Sequence, residues 1–110
     1  MKSINYTISP IKHADKEMAK ILLQGDLTLP NLSEIYSELA DSAMLYDDLE
    51  IIVRNAEGFD LAAFQLFYAL KQTYIQRNKK LNFDIEIPAD IKLIFEKAGI
   101  DNFNLYLDTQ

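Results

Sequence analysis

A chain of 110 residues with 49% hydrophobic and 25% charged side chains has the size and balance of one globular domain that buries a single core. It holds no cysteine, which excludes disulfides, thiolate catalysis and zinc–thiolate sites. Its net charge of −6 argues against nucleic acid as a partner, since neutralising phosphates takes a basic face.

In chain order, Ile4, Tyr6 and Ile8 alternate with Asn5, Thr7 and Ser9, the pattern of a half-buried strand, and Pro10 is expected to end it. A second strand is expected over Ile21 to Gln24. The polar stretch from Lys12 to Lys16 is short enough to make the two an antiparallel hairpin. A first helix should follow Pro30, with Asn31 and Glu34 spaced as a capping box and Leu32, Ile35, Tyr36, Leu39 and Ala43 on its apolar face. The apolar run Leu49 to Val53 reads as a central strand, followed by a polar turn carrying Gly58.

Asp60 then stands where a carboxylate can accept hydrogen bonds from the free N–H groups of a helix start. At about 100° per residue, the helix after it carries two apolar stripes. Ala63, Leu66, Phe67, Leu70 and Tyr74 form the expected core face, while Leu61, Phe64, Tyr68 and Ile75 form the second. Gln65, Gln72 and Gln76 mark the solvent side. The second stripe either packs against a neighbouring helix or leaves an apolar patch at Leu61 and Phe64 that a partner covers. Leu81, Phe83, Ile85 and Ile87 alternate with polar residues as a further strand. Pro88 opens a last helix with Ile91, Ile94, Phe95 and Ala98 inward and Gly99 as its stop. Leu105 and Leu107 suggest a short closing strand.

The expected architecture is therefore an α/β single domain over residues 1–110, without linker or repeat. Strands with one apolar and one polar face imply a mixed sheet with its helices gathered largely on one side. No stretch approaches the ~18 apolar residues of a membrane span, and the N-terminus lacks the apolar core of a signal peptide, so no membrane insertion and a cytoplasmic location are expected.

Other chemistry finds few candidates. His13 is the only histidine, in an expected solvated turn near Asp15 and Glu17, too few ligands for a metal site. Asp47, Asp48 and Glu50 crowd the start of the central strand. Such carboxylates can serve acid–base work or Mg²⁺, and are as readily surface acids before a buried strand. The basic run Arg77, Lys79 and Lys80 reads as charge placed favourably at a helix C-terminus. Gly25, Gly58 and Gly99 are scattered, so no phosphate-cradling loop is present. No enzyme activity and no cofactor are expected.

Three stretches carry a family resemblance. Leu49 to Ile75, LEIIVRNAEGFDLAAFQLFYALKQTYI, runs strand, turn, Asp and helix. Leu23-Gln24-Gly25-Asp26-Leu27 and Glu96-Lys97-Ala98-Gly99-Ile100-Asp101-Asn102-Phe103 flank it in matching order. Together they resemble the STAS family, the domain of bacterial anti-sigma-factor antagonists. The resemblance implies a STAS-like fold and a regulatory module that binds a protein partner around the start of the central helix, at Asp60, Leu61, Phe64 and Tyr68. That partner would be a signalling kinase, an anti-sigma factor or, in the alternative role of an accessory subunit of a phospholipid-transporting ABC system, a transporter ATPase. Many family members carry a phosphorylatable Ser or Thr directly after the Asp. Here that position is Leu61, and no Ser or Thr occurs between Ser42 and Thr73.

Overall fold

The computed structural model describes residues 4–13 and 15–99. Strands β1 (Ile4–His13), β2 (Lys16–Leu27), β3 (Asp48–Phe59) and β4 (Lys80–Ile85) form one sheet in the order β1-β2-β3-β4. Helix α1 (Leu29–Leu45) joins β2 to β3, α2 (Leu61–Gln76) joins β3 to β4, and α3 (Ala89–Lys97) follows β4. The β1–β2 hairpin is antiparallel, and β2, β3 and β4 run parallel, so the sheet is mixed as expected.

The register stacks apolar rows on one face: Ala19, Leu49 and Leu81; Ile21, Ile51 and Phe83; Leu23, Val53 and Ile85. All nine are buried. Leu32, Ile35 and Leu39 of α1 and Ala63, Phe67, Leu70 and Tyr74 of α2 complete this core. On the opposite face lie Lys20, Glu50 and Asn82, then Leu22, Ile52 and Asp84, and all of these are at least partly exposed. The helices therefore sit on one side. Two successive β–α–β crossovers advancing in the same direction across the sheet require this when both have the usual right hand.

Several boundaries differ from the sequence reading. β1 runs through Pro10, which pairs with Ala19, because an edge strand can turn the missing N–H outward. β2 is likewise longer than Ile21–Gln24. β3 continues through the stretch expected as a turn. It leaves β4 after Val53 and goes on pairing with β2, at Gly25↔Ala56, Asp26↔Gly58 and Leu27↔Phe59. Two register shifts give β3 an extra residue each, and Asn55 (φ 52°) and Gly25 (φ 98°) adopt the left-handed backbone there.

Asn31 is not a cap. The carbonyl of Thr28 already accepts from the N–H groups of Asn31 and Leu32, and the Asn31 side chain donates to the Asp26 carbonyl at 3.1 Å. Pro30 sits in the first turn, where its missing N–H costs nothing. Tyr36 is half-buried on the apolar face of α1, and the side chain of Ala43 lies outside the described residues. On α2, Leu66 is only half-buried. Along α3, Phe95 alone is buried, with Ile91 half-buried one turn earlier; Ile94, expected inward, is 59% exposed and Ala98 is exposed too. A nine-residue helix meets the core along one narrow stripe, here Ile91 and Phe95, which leaves Ile94 to solvent. Gly99 (φ 89°) does close α3, its N–H donating to the Glu96 carbonyl at 3.0 Å. Leu105 and Leu107, and the stretch Ile100 to Phe103, lie outside the described residues.

Candidate functional site at the paired helix starts

Where β3 ends, Asp60 takes an extended backbone (φ −111°, ψ 172°), and its Oδ1 accepts from the Ala63 N–H at 2.8 Å. This is the expected N-cap of α2. Its second oxygen does something the sequence did not announce. Asp60 Oδ2 accepts from the N–H of Leu29 at 3.2 Å, so one carboxylate holds the first turns of α1 and α2 together. Both helix starts carry partial positive charge, which a shared carboxylate offsets.

A second carboxylate supports this junction. Asp26 Oδ1 accepts from the Thr28 N–H at 3.2 Å just before α1. Gly58 on the neighbouring strand lets that side chain lie where it does, since a Cβ there would come 2.5 Å from Asp26 Oδ1 and 3.2 Å from Thr28 Cγ2. Gly58 is needed for close approach, not for a turn.

The expected partner residues fall into two groups. Leu61 is 38% exposed and Tyr68 45% exposed. Phe64, between them on the same stripe, is only 8% exposed. Its ring meets that of Phe95 edge-on at a centroid distance of 5.6 Å, and Phe95 in turn stacks on Phe59 at 5.5 Å. Of the two readings of this stripe, Phe64 follows the packing one: α3 meets α2 at this residue and buries it, so Phe64 is no part of an exposed patch. Leu29, which the sequence reading passed over, joins the exposed group at 37%. The bond from its N–H to Asp60 ties its backbone to the start of α2, where Leu61 is the first residue. No signal in the sequence singles it out, since at i, i+3 and i+7 Leu29 shares a face with Leu32 and Tyr36 and reads as a core position.

The other candidates are dispersed. Asp47 pairs with Lys79 at 3.6 Å, each just before a strand, and Glu50 of β3 with Lys20 of β2 at 3.7 Å. The side chain of His13 lies outside the described residues. Among the described residues no three His, Cys, Asp or Glu side chains come together as a metal site, and no helix is long and apolar enough to cross a membrane.

Neither a protein-family model nor a curated protein matches the sequence. Among solved structures, the chain is similar to the anti-sigma factor antagonist SpoIIAA in its unphosphorylated form. The TM-score is 0.61 at 10% identity, over 86% of this chain and 83% of that one. With so few residues in common, the likeness is one of backbone. The mixed four-stranded sheet with its helices on one face is the STAS-like fold of an anti-sigma factor antagonist.

Proposed function

We propose that this protein is a non-enzymatic regulatory module that docks on a protein partner through the paired starts of α1 and α2. One observation carries the reading: Leu29 and Leu61 are exposed apolar residues at the starts of two helices that a single carboxylate, Asp60, ties together. Tyr68, two turns further along α2, extends the same exposed face. Small apolar patches with a polar border are a common form of protein interface, and a few central residues usually dominate their energetics. Phe64 belongs to the scaffold beneath the patch. The similarity to an anti-sigma factor antagonist supports an anti-sigma factor as the partner; a signalling kinase and a cytoplasmic setting rest on the family resemblance of the sequence.

That antagonist was solved in an unphosphorylated form. In this chain Leu61, first in α2 after the capping Asp60, offers no hydroxyl, so the module acts without a phosphorylation switch there. The role of accessory subunit to a transporter ATPase would use the same patch. Leu61→Asp tests the reading. Affinity for the partner should fall by more than ~2 kcal/mol while the melting temperature barely moves. Retained affinity in a folded variant would place the docking site elsewhere.

A further inference from the structure

At the far end of the sheet from Asp60, a hollow of about 460 Å³ opens between the last turns of α2 and the start of β4. Lys71, Lys79 and Lys80 line it together with Asn78 and Asn82, and Ile75 and Leu81 supply its apolar wall. Among the described residues no carboxylate lines it, although Lys79 pairs with Asp47 at 3.6 Å just outside it. A second hollow of about 240 Å³ adjoins it, sharing Asn78, Lys79 and Lys80 and adding Lys16, Arg77, Asp47 and Asp48. In a chain of net charge −6, five of its eleven lysines and arginines thus gather around one small region.

Favourable placement at a helix C-terminus accounts for cations on the surface. It does not account for Lys71, which lies one and a half turns inside α2 and is only 3% exposed, its ammonium donating to the Leu81 carbonyl. Burying an ammonium is costly, and at the wall of a hollow its field is screened far less than at the open surface. Asn78 and Asn82 add side-chain amides able to donate to oxygen.

We propose that this hollow binds a compact, multiply charged oxyanion, a phosphate or a polycarboxylate. Its volume is that of a small-molecule site. Among the described residues none that lines it is aromatic, so these offer no platform on which a nucleobase could stack. Lysines act as point charges, which suits an anion of compact shape. The site is independent of the docking patch, which lies at the opposite end of the strands.

The test is a titration of the ¹⁵N-labelled protein with sodium pyrophosphate, and in parallel with sodium citrate, each against sodium chloride at equal ionic strength. Saturable shifts are expected at the amides of Asn78, Lys80 and Asn82 with at least one of the two oxyanions. Lys79→Gln/Lys80→Gln should weaken the response about tenfold or more, with an otherwise unchanged spectrum. Lys92→Gln, the same change per site on the exposed face of α3, should leave it intact. Shifts that match chloride, or that fall as much in Lys92→Gln as in the double variant, would overturn the proposal. Lys71→Met serves as a second probe: if it stays folded, it should lose the response, and a folded variant that keeps it also overturns the proposal.

Discussion

Leu61 and Phe64 lie three residues apart on one stripe of α2 and have opposite fates. Both are apolar, and only the position of α3 separates them, since Phe95 closes over Phe64 and leaves Leu61 in solvent. Phe64→Ala should therefore cost about 3–5 kcal/mol in chemical denaturation, as expected for a large buried aromatic. A loss near zero would return Phe64 to the surface. Asp60 is the other decisive residue. Removing an N-cap side chain costs about 1–2 kcal/mol. Because this one serves two helices, Asp60→Ala should raise amide hydrogen exchange at Leu29 as well as at Ala63. Faster exchange at Ala63 alone would mean that the bridge to α1 carries no weight. The cap itself was legible from an Asp placed before an apolar-periodic run. The bridge was not, because it joins residues 31 positions apart and follows from how the sheet brings the two helix starts together.

At the scale of elements, periodicity located the strands and helices but misjudged where several begin and end. The second half of β3 reads as a turn because Asn55, Glu57 and Gly58 are polar or small. It remains a strand because β2 continues beside it, and two bulges absorb the mismatch in length. Nothing local to residues 54–59 encodes that neighbour. Similarly, Pro10 is a stop signal only for a strand hydrogen-bonded on both sides, and β1 is an edge. The close packing at Gly58 is testable. Gly58→Ala should push Asp26 off the Thr28 N–H and cost about 1–2 kcal/mol, the range for a buried or half-buried polar group losing its partner. If that clash is the cause, the penalty should shrink in an Asp26→Ala background, a non-additivity that a double-mutant cycle detects. Full additivity would assign the cost to the backbone of β3.

For the whole molecule, the one-sided helix layer was readable from strands that alternate apolar with polar residues. Which part of α2 remains exposed depended on α3, whose one fully buried residue, Phe95, no periodicity singles out from Ile94. The core also predicts an alkaline limit. Tyr74 is fully buried at the heart of the α2 interface. Burial, with the charges of Asp47 and Asp48 nearby, raises its phenol above the ordinary value near 10. The folded chain then keeps this proton where the unfolded chain releases it. The contribution of Tyr74 is complete below pH ~10 and is lost as pH climbs beyond it. Tyr74→Phe should flatten the fall of stability with pH in that range. An unchanged slope would show that other groups govern it.

The docking surface is tested most directly by placing a photo-crosslinking amino acid at single positions in the native cell and mapping which of them capture a protein. Capture of one common partner is expected from positions 29, 61 and 68, and none from position 64 or from Thr7 and Ile52 on the face of the sheet away from α1 and α2. Capture from Thr7 or Ile52, with silence at Leu29 and Leu61, would contradict it.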